Sequence, residues 1–169
     1  CAQQAERVGV DYLGVASVEE GIQLRNNNIR LPILCLGPIP LGSEDDCVLY
    51  DIEQAVSTSD ELLRLKLSAD MLKKNIGVHI KIETGMHRTG VRAGESLVAL
   101  LNQIKQSKNI KIKGVFTHFA QADTSDSEYT DKQIAEFKKA IEQIKNTGCD
   151  CGIIHAANSG GILSYPEYK

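Results

Sequence analysis

A chain of 169 residues is long enough for one domain with its own core and short for two. Its formal net charge of -3, with no long basic run, gives no electrostatic footprint for nucleic acid. The longest apolar stretch, LPILCLGPIPLG, is broken by proline and glycine and falls short of the roughly 20 residues of a bilayer span, so no membrane segment is expected.

The first segment, CAQQAERVG, has the rhythm of a helix that finishes at Gly9, a residue suited to ending one. Short apolar runs then recur as predicted strands: YLGVA at 12–16, PILCL at 32–36, IEQAV at 52–56, VHIKI at 78–82, IKGVFTHF at 112–119 and GIIHAA at 152–157. Helical patterns separate them at 18–26, 43–49, 59–74, 95–106 and 128–145. In the last, Ile134, Phe137, Ile141 and Ile144 keep spacings of three and four, and Gly148 follows the end. SYPEYK closes the sequence without an element of its own. A chain that starts inside a helix and stops in this way is expected to be part of a longer one. Cys1, Cys35, Cys47, Cys149 and Cys151 form no CxxC pair and no even set, which argues against a disulfide framework and for a reducing cytoplasm. The C-x-C at 149–151 lacks the usual zinc spacing, and no metal is expected.

Strict alternation of strand and helix implies a parallel sheet with right-handed crossovers, either doubly wound and open or closed as a (β/α) barrel. An eight-stranded barrel takes about 250 residues, so the barrel reading places about two strands outside this chain. In VHIKIE, Val78, Ile80 and Ile82 share one face and His79, Lys81 and Glu83 the other. An open sheet covered on both faces would have to bury that polar row, which is costly, whereas a barrel can turn it inward. The barrel is therefore favoured. No linker or change of composition divides the chain, and residues 1–169 are expected to form part of a single domain.

Active sites of parallel α/β folds lie at the carboxyl ends of the strands. Three strand ends here are unusually polar: KIETGMHRTG, THFAQADTSD and HAANSGG, which bring Lys81, Arg88, His118, Asp123, Asn158 and Ser159 toward one mouth. Each has a plainer reading. Lys81 could pair with Glu83, Arg88 could be a solvated charge, His118 a hydrogen-bonded core histidine, and Asn158-Ser159 a turn or helix cap. A strand followed by Ser-Gly-Gly at the start of a helix also offers free N–H groups to phosphate. Together the three ends suggest a phosphorylated ligand or cofactor.

The segments LGVASVEEGIQLR, PILCLG, VHIKIETGMHRTGV, GVFTHFAQAD and HAANSGG, in this order and spacing, closely resemble the amino-terminal barrel domain of the alanine racemase family. KIETGMHRTG and THFAQAD are specific as a pair. The resemblance implies an incomplete (β/α)8 TIM-type barrel, about strands two to seven. The first strand, last strand and carboxyl-terminal β domain would lie outside the chain.

It also implies a pyridoxal 5'-phosphate-dependent homodimer that interconverts L- and D-alanine for cell-wall synthesis. By residue, the match makes Arg88 the contact to the cofactor's phenolic oxygen and the substrate carboxylate. Lys81 becomes the group that steadies Arg88, often as a carbamate, and His118 the neighbour of the pyridine ring. Ser159 becomes a phosphate ligand with Asn158 beside it. The Schiff-base lysine would precede Cys1, and the opposing tyrosine base would come from the partner's carboxyl-terminal domain, so the segment alone is expected to be inactive. Serine or broader amino-acid racemisation, or cofactor binding without catalysis, fits the same motifs.

Overall fold

The computed structural model describes residues 1–124, 128–165 and 167. Ser125 and Asp126 of the THFAQADTSD segment, and positions 166, 168 and 169 of SYPEYK, lie outside the described residues.

The chain alternates helix and strand throughout. Helix α1 (Ala2–Val8) ends on Gly9 at φ 81°, a left-handed conformation that costs glycine nothing. β1 (Leu13–Val15) leads to α2 (Val18–Asn26), whose first turn is capped by Ser17 accepting from the Glu20 N–H. β2 (Ile33–Cys35), α3 (Glu44–Leu49) and β3 (Glu53–Val56) follow. Thr58 and Glu61 form a reciprocal capping box that starts α4 (Ser59–Leu72). This helix stops two residues before the predicted end because Lys73 adopts φ 53°, outside the helical region.

β4 (Ile76–Lys81) begins two residues before its apolar alternation becomes visible, since Gly77 interrupts the pattern. α5 (Glu95–Lys105), β5 (Ile110–Phe116), α6 (Glu128–Asn146), β6 (Ile153–His155) and α7 (Ser159–Ser164) complete the order. The predicted fifth strand ran to Phe119, but β5 ends at Phe116. Beyond it, the buried Thr117 hydroxyl donates to the Ile82 carbonyl and fastens the turn.

All six strands are parallel, and their spatial order is their chain order, β1 to β6. A doubly wound sheet reverses partway and places helices on both faces. Here nothing reverses, and successive helices from α2 to α6 pack against one another along one side of the sheet. That side holds the aliphatic core. Val78, Ile80 and Ile82 meet the buried faces of α4 and α5, including Leu62, Leu65, Leu97, Leu100 and Leu101. Each such side chain contributes about 1.5–3 kcal/mol by leaving water. The other side of the sheet is free to carry polar groups, as the VHIKIE pattern predicts for His79 and Lys81. Among the described residues no helix is long and apolar enough to cross a membrane.

The inner layer is a hydrogen-bonded chain. His79 Nε2 lies 2.9 Å from Glu53 Oε2, and His79 Nδ1 lies 3.2 Å from His155 Nε2. A carboxylate accepts, so His79 Nε2 is the donor toward Glu53, and the direction of the His79–His155 bond depends on the tautomers of the two rings. Tyr12 packs edge-on against His79, and its phenol is held above the usual range by burial and by Glu53. The layer needs Gly114, because a Cβ there would stand 2.4 Å from His79 Nδ1.

Candidate active site

Lys81 ends β4 on the inner side, 6% exposed. Its Nζ donates to Thr89 Oγ1 at 2.6 Å and sits 5.8 Å from the centre of the Phe116 ring, which stacks in turn on His155. No ion pair among the described residues involves Lys81, so the alternative of a Lys81–Glu83 bridge is set aside. Glu83 also leaves the inward-facing row in which alternation placed it. The strand has ended at Lys81, and the Glu83 carboxylate turns into the following loop, where the backbone N–H groups of His87, Gly85 and Arg88 gather on it. Burial pushes this carboxyl up, but those three donors prevail and hold it below the ordinary range.

The loop at 83–90 is closed at its base. Val91 donates to the Lys81 carbonyl at 2.8 Å and accepts from the Glu83 N–H at 2.9 Å. Gly90, at φ 139°, lets the chain return so close that a Cβ would lie 2.7 Å from the Glu83 nitrogen. The returning loop carries Arg88 over the mouth. Lys81, Arg88 and Thr89 share a cavity of about 560 Å³ with the β1 and β2 ends, including Gly14, Ala16, Leu36 and Gly37.

His118 follows β5 and is partly buried. Burial, then the charges of Arg88 and Lys81, lower its pKa. Burial and then Arg88 likewise lower that of Lys81, against weaker opposing influences from Glu83 and Glu61. Three basic groups therefore converge, Arg88 acting on Lys81 and both of these on His118, and no ion pair among the described residues relieves them. Such a place favours an anion or a neutral lysine.

Asn158 and Ser159 stand one strand further on. Asn158 caps α7, its Oδ1 accepting from the Gly161 N–H at 2.9 Å while its Nδ2 donates to the Phe119 carbonyl at 2.9 Å. Ser159 is exposed at the first position of that helix. This pair reaches the basic cluster through the Phe119 backbone and does not line the Lys81 cavity. Asp123 is also exposed, and its backbone packs against Gly160.

Sequence reasoning missed several polar groups. Thr89 lies inside the KIETGMHRTG stretch, where the neighbouring charges mask it. Glu53 interrupts an otherwise apolar strand run, and Gln133 falls on the buried stripe of α6. A polar residue on a predicted core face was the available signal in both. Among the described residues no group of His, Cys, Asp and Glu is placed to hold a metal.

A model of the alanine racemase N-terminal domain matches residues 1–169. An alanine racemase of Treponema denticola is 43% identical over 169 residues, covering 98% of this chain and 44% of that protein. Alanine racemase 1 of Oceanobacillus iheyensis is 35% identical over 167 residues, with the same coverage of both. Among solved structures, the alanine racemase of Clostridium difficile 630 in complex with cycloserine superposes with a TM-score of 0.95 at 36% identity, covering 99% of this chain and 46% of that one. The chain thus spans under half the length of the relatives it matches.

Proposed function

Because the chain belongs to the alanine racemase N-terminal domain family, we propose that the complete protein interconverts L- and D-alanine, with the cluster of Lys81, Arg88 and His118 forming one wall of its pyridoxal phosphate site. The observation that carries this reading is the convergence of these basic groups with no carboxylate paired to them among the described residues. Their chemistry fits the cofactor, whose phenolic oxygen is an anion, and a substrate whose carboxylate is another.

When bound, pyridoxal phosphate supplies the electron withdrawal that makes the α-hydrogen of an amino acid labile. The chain's own residues orient and neutralise. Arg88 would hold the phenolic oxygen and the substrate carboxylate with its planar fork, a geometry that lysine lacks. Lys81 steadies Arg88, most effectively as a carbamate, which turns a repulsive neighbour into an attractive one. His118 would lie beside the pyridine ring, its pKa lowered by burial and then by Arg88 and Lys81. Ser159 offers its hydroxyl to the phosphate. Asn158, whose amide is already used at both ends, sets the turn that presents Ser159.

The two bases that remove and return the proton belong to the rest of the protein: a lysine on the first barrel strand and a tyrosine from the partner's carboxyl-terminal domain. The complete molecule adds the first and last barrel strands and that domain. It works as a cytoplasmic homodimer supplying D-alanine to the cell wall.

The test is to purify the complete protein with pyridoxal phosphate and follow L-alanine by chiral chromatography beside a panel including L-serine. Conversion of alanine at the highest kcat/KM supports the reading. A protein that binds the cofactor and leaves alanine unchanged overturns it.

A further inference from the structure

The buried stripe of α6, with Ile134, Phe137, Ala140 and Ile144, is what a helix needs to cover a sheet. Gln133 lies on the same stripe and is 1% exposed. A primary amide there is costly unless both ends are partnered. Both are, and the partners lie on two different loops. Gln133 Oε1 accepts from the Ala120 N–H at 2.9 Å, and its Nε2 donates to the His118 carbonyl and to Thr84 Oγ1, each at 3.1 Å. A backbone N–H can only donate and a carbonyl can only accept, so these partners fix which way the amide faces.

The Thr84 hydroxyl is 2.7 Å from that of Thr117, which donates to the Ile82 carbonyl. One helical turn before Gln133, the Tyr129 hydroxyl donates to the Gly85 carbonyl at 2.7 Å. Gly85 is at φ 136°, and a Cβ there would approach that hydroxyl to 2.9 Å, so the loop passes directly against the phenol. The tie continues from the far side, where Asn158 binds the Phe119 carbonyl. One helix thus holds the loop bearing Arg88 and the loop bearing His118 through one buried and three part-buried bonds, from side chains that do not line the Lys81 cavity.

We infer that Gln133, assisted by Tyr129, is a positioning residue: it locks the Arg88 and His118 loops in a fixed mutual register while contacting neither cofactor nor substrate. Its effect on catalysis rests on the racemase reading, but the coupling of the two loops does not. Leucine at this position would fill nearly the same space and leave the Ala120 N–H and His118 carbonyl unpaired. Glutamate would keep an acceptor for Ala120 and face the His118 carbonyl with a second oxygen, attractive only when protonated.

The experiment uses the complete protein and its Q133L, Q133E and Y129F variants, with amide hydrogen exchange and alanine kinetics measured in parallel. Q133L is expected to speed exchange about tenfold across residues 84–91 and 117–122 together, leaving α4 and α5 protected. Its kcat should fall at least about tenfold with a smaller change in KM, because the basic groups lose alignment. Q133E should regain activity toward acid pH as its carboxyl takes up the donor proton. Y129F should loosen the 84–91 loop alone. Unchanged exchange in both loops of Q133L, or loosening confined to α6, overturns the inference. A wild-type protein inactive on alanine defeats the racemase reading instead, while the exchange pattern still decides the coupling.

Discussion

Lys81 is held toward its neutral form by burial and by Arg88, and the neutral amine is the form that adds carbon dioxide. With the folded pKa lowered, the reactive fraction extends to lower pH than for a free lysine. Carbamylation of Lys81 in the complete protein is therefore expected to increase with bicarbonate and with pH, as read by isotope-labelled carbon NMR. A lysine that stays unmodified at high bicarbonate removes this role. R88K keeps the charge without the fork, and kcat/KM for alanine is expected to drop on the order of tenfold to a hundredfold. His155 titrates in the opposite sense to a salt-bridged histidine. Burial and then His79 lower its pKa from 6.5 to about 4, so the unfolded chain binds the extra proton first. Its contribution to stability is complete above pH 6.5 and is lost as pH falls from there toward about 4, on the order of 2–3 kcal/mol. Glu53, His79 and Tyr12 face the same layer, and denaturant melts of wild type against H155Q isolate the His155 share as a flatter acid limb in the variant. A parallel acid limb would move the effect elsewhere in the layer.

Elements were legible where local chemistry and tertiary demand agree. The sequence places α2 at 18–26, and the structure has Val18–Asn26, because Ser17 and Glu20 mark its start in the chain itself. Thr58 and Glu61 do the same for α4. T58A removes the acceptor for the Glu61 N–H and is expected to cost about 1 kcal/mol, or roughly 1 °C in the Tm of the complete protein, with T58S restoring most of it. An unshifted T58A would mean that packing alone starts this helix. Strand ends were less legible, since they are set by partners far away in sequence. β5 stops where Thr117 finds Ile82 and Thr84, and β4 starts early because Ile76 donates to the Asn109 carbonyl. The site divides along the same line. Lys81, Arg88, His118, Asn158 and Ser159 stand out by residue type at strand ends. Gln133 acquires its significance only once α6 has brought it against two loops.

At the scale of the molecule, one short pattern pointed to the architecture. The polar row of VHIKIE requires an interior that helices do not cover, and the unreversed strand order provides one. That interior is also a liability for the segment on its own. Among the described residues β1 pairs only with β2 and β6 only with β5, so the sheet presents two open edges. On β6 the apolar side chains of Ile153 and Ile154 are 48% and 39% exposed. Unpaired strand edges beside exposed isoleucine are templates for association with another copy. Residues 1–169 expressed alone are accordingly expected to aggregate or to melt without cooperativity, whereas the complete protein, which on the proposed reading supplies pairing strands at both edges, should unfold in a concerted transition. Light scattering and calorimetry on the two proteins decide it. A monomeric, cooperative melt of the isolated segment would show that the six-stranded sheet closes off its own edges, and the neighbouring strands would then serve the site more than the stability of the fold.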